Sequence, residues 1–140
     1  MAVIAINELL NDLLIAIHRS LVLFADEVSP WASESAQAFQ SEVTSLAQRQ
    51  RVDVGRIAAL LNQRGEAIDF SYFPHEFTSL HFVSLDYLAE RLIAGQRELV
   101  SQLEAAVDGL SDDPQAQEVL RTVATSQREG LVQLLASAPK

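Results

Sequence analysis

A chain of 140 residues is the length of one domain, and folding buries about 68–70% of the surface that such a chain exposes when unfolded. Ten Lys and Arg against nineteen Asp and Glu give a net charge of −9, which excludes nucleic acid or an anionic membrane as a partner held by charge. No cysteine is present, so disulfides, thiolate zinc sites and a cysteine nucleophile are excluded together.

Four segments carry helical periodicity, and none shows the alternation of a strand. The first, about residues 3–27, places Ile6, Leu10, Leu13, Ile17, Leu21 and Phe24 on one stripe. Pro30 forces Ser29 out of the helical region at its end. No basic region precedes this helix, and its apolar runs are far shorter than the ~20 residues that span a bilayer. A cytoplasmic protein with no targeting or membrane segment is expected. The second segment, about residues 35–64, aligns Phe39, Val43, Leu46, Ile57 and Leu61, with Gly65 at the position of a left-handed helix terminator. Residues 66–78 carry no periodicity. Extended at about 3.3 Å per residue they reach roughly 40 Å, the length of a helix of about 28 residues, so they can return along the whole molecule as one long crossover. The aromatic cluster Phe70, Tyr72, Phe73, Phe77, Phe82 and Tyr87 is expected to pin that crossover.

The third segment, about residues 79–110, stacks Leu85, Leu88, Leu92, Leu99, Leu103 and Leu110. The fourth opens with Asp113 as N-cap and Pro114 in the first turn, and continues through Leu120, Val123, Leu131 and Leu134. The expected fold class is all-α. It comprises two antiparallel hairpins, about 3–65 and 79–137, joined by the crossover into a single domain, 1–140.

An internal repeat runs through both hairpins. Leu14 to Val22 matches Leu92 to Val100 at six of nine positions, at an offset of 78. Ala47 to Arg51 matches Ala124 to Arg128 at three of five, at an offset of 77. Two matches at nearly one spacing point to a duplicated hairpin.

With this repeat and the run from Arg51 through Asn62-Gln63-Arg64-Gly65, the chain resembles the ferritin-like superfamily of bacterioferritins and rubrerythrins. The resemblance implies a four-helix bundle with a di-iron site. Such a site takes a Glu from each of two helices and Glu-x-x-His from each of the other two. At the corresponding positions this chain carries Gln50 and Asp53 on the second helix, and Gln127 and Gly130 on the fourth. The nearest match on the first helix is Leu13, with Asp12 adjacent, and on the third Gln96 or Glu90. No Glu-x-x-His occurs anywhere. Two cations facing one or two carboxylates in a low-dielectric core is prohibitive, so no bound metal and no cofactor are expected. Gln50, Gln96, Gln127 and Asp53 are instead expected to hydrogen-bond one another as the polar remnant of that site.

The function expected is a non-catalytic structural or interaction module. Ile4, Ile15 and Val22 form a second apolar face on the first helix, where a homodimer is expected to close. A further, unidentified protein partner fits the same reading. The alternatives are an oxidoreductase with a divergent metal site from Asp12, Asp53, Glu90 and one of His18, His75 and His81, or a small-molecule-binding bundle. His75 and His81 with Glu76 fall short of a zinc ligand set.

Overall fold

The computed structural model describes residues 2–80 and 83–139. His81 and Phe82 lie outside the described residues. Among the described residues five α-helices form: α1 (Val3–His18), α2 (Leu21–Val28), α3 (Gln37–Gln63), α4 (Leu85–Asp108) and α5 (Pro114–Ser137). Short 3-10 turns cover Glu34–Ala36 and His75–Leu80, and no strand occurs among the described residues.

The predicted first helix is two helices. Ser20 adopts an extended backbone, φ −68° and ψ 156°, and its Oγ accepts the Leu23 N–H at 3.1 Å as the N-cap of α2. A serine hydroxyl competes with the helix for backbone donors, and here it wins. The break resets the helical phase. Val22, Leu23, Phe24 and Ala25 turn into the core, whereas Leu21 is only half-buried. Val22 is 2% exposed and therefore does not share a surface with Ile4, which is 72% exposed, and the half-buried Ile15.

The other helices follow their local signals. Gly65 takes φ +73°; Glu66 N–H reaches Leu61 O and Gly65 N–H reaches Asn62 O, both at 3.0 Å, which terminates α3 in a Schellman motif. The third predicted helix begins later than residue 79. Residues 75–80 are a separate 3-10 turn, and α4 opens at Leu85 because extended Ser84 caps the Tyr87 N–H at 3.2 Å. Asp113 caps α5 through the Ala116 N–H, with Pro114 in the first turn.

Side-chain bridges give the helix directions. Asn7 meets Arg64 and Ser20 meets Gln50, so the α1–α2 arm runs antiparallel to α3. Arg64 meets Asp113 and Gln50 meets Gln127, which sets α5 antiparallel to α3. Gln117 reaches Val107 and Gln96 reaches Gln127, so α4 opposes α5. Contacts of α4 with α1 and α2 close the ring. Helices α3 and α4 thus lie diagonally and run the same way, so the end of α3 and the start of α4 lie at opposite ends of the molecule. The Leu85 N–H donates to Trp31 O at 2.7 Å, at the end where α3 begins.

The crossover is held by polar and aromatic contacts. Asn11 exchanges two 3.1 Å hydrogen bonds with the Asp69 backbone, and Asn7 donates to Glu66. The His18 ring sits edge-on to Phe70 at 5.2 Å, while Phe73 and Phe77 each lie 5.3 Å from Phe24. Tyr72 and Tyr87 take no part in the pinning; they are 89% and 63% exposed.

Two apolar clusters fill the interior. One is wholly aliphatic and joins α1, the second half of α3, the end of α4 and the start of α5, around Ile6, Leu10, Ile57, Leu103 and Leu120. The other contains Phe24 and Phe39 with Leu46, Leu88 and Leu134, and Phe73 and Phe77 pack on it. A layer of polar side chains separates them.

Candidate functional site in the polar layer

Each arm of the ring contributes to this layer where one apolar cluster ends and the other begins. Ser20 follows Ile17 and precedes Val22; Gln50 lies between Leu46 and Val54; Gln96 lies between Leu92 and Leu99; Gln127 lies between Val123 and Leu134. The glutamines and Asp53 are at most 2% exposed. Burying an amide without a partner costs several kcal/mol, about 2–7, so the bonding pattern decides whether this layer is tolerable.

Asp53 sets that pattern. A carboxylate only accepts, so Gln127 must turn its amide nitrogen towards it, and Nε2 donates to Asp53 Oδ2 at 2.7 Å. Gln127 Oε1 then faces inward and receives Gln96 Nε2 at 3.0 Å and Gln50 Nε2 at 3.2 Å. Gln96 Nε2 also reaches the Gln127 backbone carbonyl at 3.0 Å, and Gln50 Nε2 donates to Gln96 Oε1 at 3.0 Å. Gln50 Oε1 accepts the Ser20 hydroxyl at 2.7 Å. The donors thus run in one direction, from the hydroxyl through three amides to the carboxylate, and each bond polarises the next. The other oxygen, Asp53 Oδ1, is held at 2.8 Å by Arg56 Nη1, which comes from the same helix and the solvent side. Among the described residues no buried side-chain nitrogen or oxygen is left without a partner.

The structure brings Gln50, Asp53, Gln96 and Gln127 together and leaves Leu13 and Gly130 outside the network. Leu13 belongs to the aliphatic cluster. Gly130 is packed against Leu46, whose Cδ1 lies 2.4 Å from where a Cβ at Gly130 would stand. Asp12 and Glu90 are exposed, and among the described residues no three His, Asp or Glu side chains are placed to hold a metal ion. His75 is exposed and serves through its carbonyl, which accepts the Thr78 hydroxyl.

This donor set does not fit a di-iron centre. The amides carry no charge, the one carboxylate has both oxygens engaged, and the space for a second histidine is occupied by Leu46. What the layer does chemically is lock the relative positions of the four arms, since a shift of any one arm would strand a buried polar atom.

Ser20 and Arg56 are the members that sequence reasoning did not place. The offset of 78 carried a signal for the first. It equates Gln96 with His18, so the first-arm partner belongs near residue 18 and not at Leu13. The helix break then removes His18 to the crossover and delivers Ser20, two residues on. The offset of 77 equates Gln50 with Gln127, and these two side chains do meet.

Comparison of the chain with protein-family models, with curated proteins and with solved structures finds no match. No helix among the described residues is long and apolar enough to cross a membrane.

Proposed function

We propose that this chain is a ferritin-like bundle whose metal positions have become a hydrogen-bonded core, and that it works as a non-catalytic structural or interaction module. The observation that carries this reading is the closed network of Ser20, Gln50, Gln96, Gln127 and Asp53, in which every polar group is already committed to a neighbour. The repeat and the diagonal placement of α3 and α4 support the bundle type. The interaction is a two-fold pairing of the chain with a second copy through the outer face of α1, where Val3 and Ile4 are exposed and Ile15 is half-buried.

Elemental analysis of untagged protein purified without chelators tests the core of this reading. Metal far below one ion per chain is expected; one or two iron, manganese or zinc ions per chain would overturn it. Light scattering coupled to size exclusion tests the pairing: a dimer is expected for the native chain and a monomer for the variant carrying Ile4→Glu and Ile15→Glu. A gain-of-function variant probes the bundle type. Gln50→Glu, Asp53→His, Gln127→Glu and Gly130→His should create iron affinity once Leu46→Ala makes room for the second imidazole.

A further inference from the structure

A second site lies beside the polar layer, where the α1–α2 break leaves α4 uncovered. A cavity of about 330 Å³ opens there, within the range of about 300–1,000 Å³ typical of small-molecule sites. Its apolar wall is Leu21, Val22, Phe77, Leu80, Leu92 and Leu99. Its polar lining is Arg19, Ser20, Arg91, Gln96, Glu98 and Gln102.

The arginines are unusual for this chain. Nine arginines face nineteen acidic residues, and among the described residues six of the nine stand in ion pairs. The exceptions are Arg19, Arg91 and Arg97, and two of those three line this one cavity. Among the described residues neither Arg19 nor Arg91 makes an ion pair or a side-chain hydrogen bond. Among the described residues Glu98 is the only carboxylate in the lining, and it accepts from Gln102 at 3.3 Å. The N-terminal turn of α2 also borders the cavity and adds its partial positive charge.

Gly95 completes the wall. It sits in the interior of α4, where glycine weakens a helix, and no atom lies within 4 Å of where its Cβ would stand. The missing side chain leaves the helix backbone open to an occupant of the cavity. A second, more open groove along α1 and α4 shares Ala16, Arg19 and Gln102, so the cavity continues outward past Arg19.

We propose that this cavity binds a medium-chain monocarboxylate, its tail against the leucines and Phe77 and its carboxylate paired with Arg19 and Arg91. The two guanidinium groups supply the charge that an uncharged ligand of equal length would leave unused. The site needs only the α1–α2 break, α4 and the 3-10 turn of residues 75–80, so it stands apart from the ferritin-like reading; metal in the purified protein would sink that reading and leave this one untouched.

Isothermal titration calorimetry of the full chain with decanoate tests the proposal, with decan-1-ol as the uncharged match. Saturable binding of one decanoate per chain is expected, at least tenfold tighter than decan-1-ol. Replacing both arginines, Arg19→Gln with Arg91→Gln, should weaken decanoate binding by at least tenfold. Gly95→Leu points a side chain into free space, so it should abolish binding while leaving the circular dichroism spectrum and thermal midpoint at or above those of the native chain. Absence of saturable binding, equal affinity for the alcohol, or undiminished binding by folded Gly95→Leu would each overturn the assignment.

Discussion

The two halves of the interior are built differently. In the aliphatic half, long uninterrupted helices meet through Ile, Leu, Val and Ala alone, and the ends are tied by the short α4–α5 link and the Arg64–Asp113 ion pair at 2.9 Å. In the aromatic half the first arm is broken, the chain between α2 and α3 is irregular, and the crossover arrives as a 3-10 turn. Regular helices present matching ridges and grooves that branched aliphatic side chains fill. Irregular segments leave wider gaps, and Phe24, Phe39, Phe73 and Phe77 supply the bulk to fill them. The polar layer lies at the change from one construction to the other, and the cavity opens on the irregular side of it.

The largest expected effect comes from cutting the layer that joins the halves. Gln127→Leu removes the donor to Asp53 and the acceptor for Gln50 and Gln96, and should cost about 3–5 kcal/mol in urea unfolding. A loss below about 1 kcal/mol would show that the halves do not depend on it.

Gly130→Ala drives a methyl group into Leu46 and should cost about 1–3 kcal/mol despite the better helix propensity of alanine. In a Leu46→Ala background that penalty should vanish, a coupling that a double-mutant cycle reads directly.

Ser20→Ala tests the irregular half alone. It removes both the cap of α2 and the bond to Gln50, for a loss of about 1–2 kcal/mol. Hydrogen exchange should quicken in α2 and leave the end of α3 unchanged.

The smallest effect belongs to the aliphatic end. The Arg64 guanidinium, hydrogen-bonded to Asp113, holds its carboxyl below the ordinary value. The unfolded chain therefore takes up this proton more readily than the native one. The stabilisation is present above the ordinary carboxylate value of about 4 and fades as pH falls through the lowered native value. Asp113→Asn should flatten this acid limb of the stability curve, measured by thermal unfolding between about pH 2 and 6.

The helical fold was legible because its signals are local. The stripes of α3, α4 and α5, the Asp113-Pro114 opening and the Gly65 stop depend on residues within a turn or two of one another, and each lies where periodicity or capping places it. The membership of Gln50, Gln96, Gln127 and Asp53 in one layer was legible too, since a polar residue on an apolar stripe must find partners from other helices. The first arm was misread. Leu14 to Val22 carries unbroken apolar periodicity, whereas the Ser20 hydroxyl that caps the new helix also donates to Gln50, thirty residues away.

The sequence by itself determined the all-α class and the polar composition of the core, because propensity, capping and periodicity act along the chain. Tertiary structure alone decided where the first arm breaks, which arginine reaches Asp53, and that Arg19 and Arg91 border a cavity beside the layer. Each of these depends on which side chains from distant segments come within hydrogen-bond or van der Waals range. Packing sets those distances, and the order of residues does not contain them.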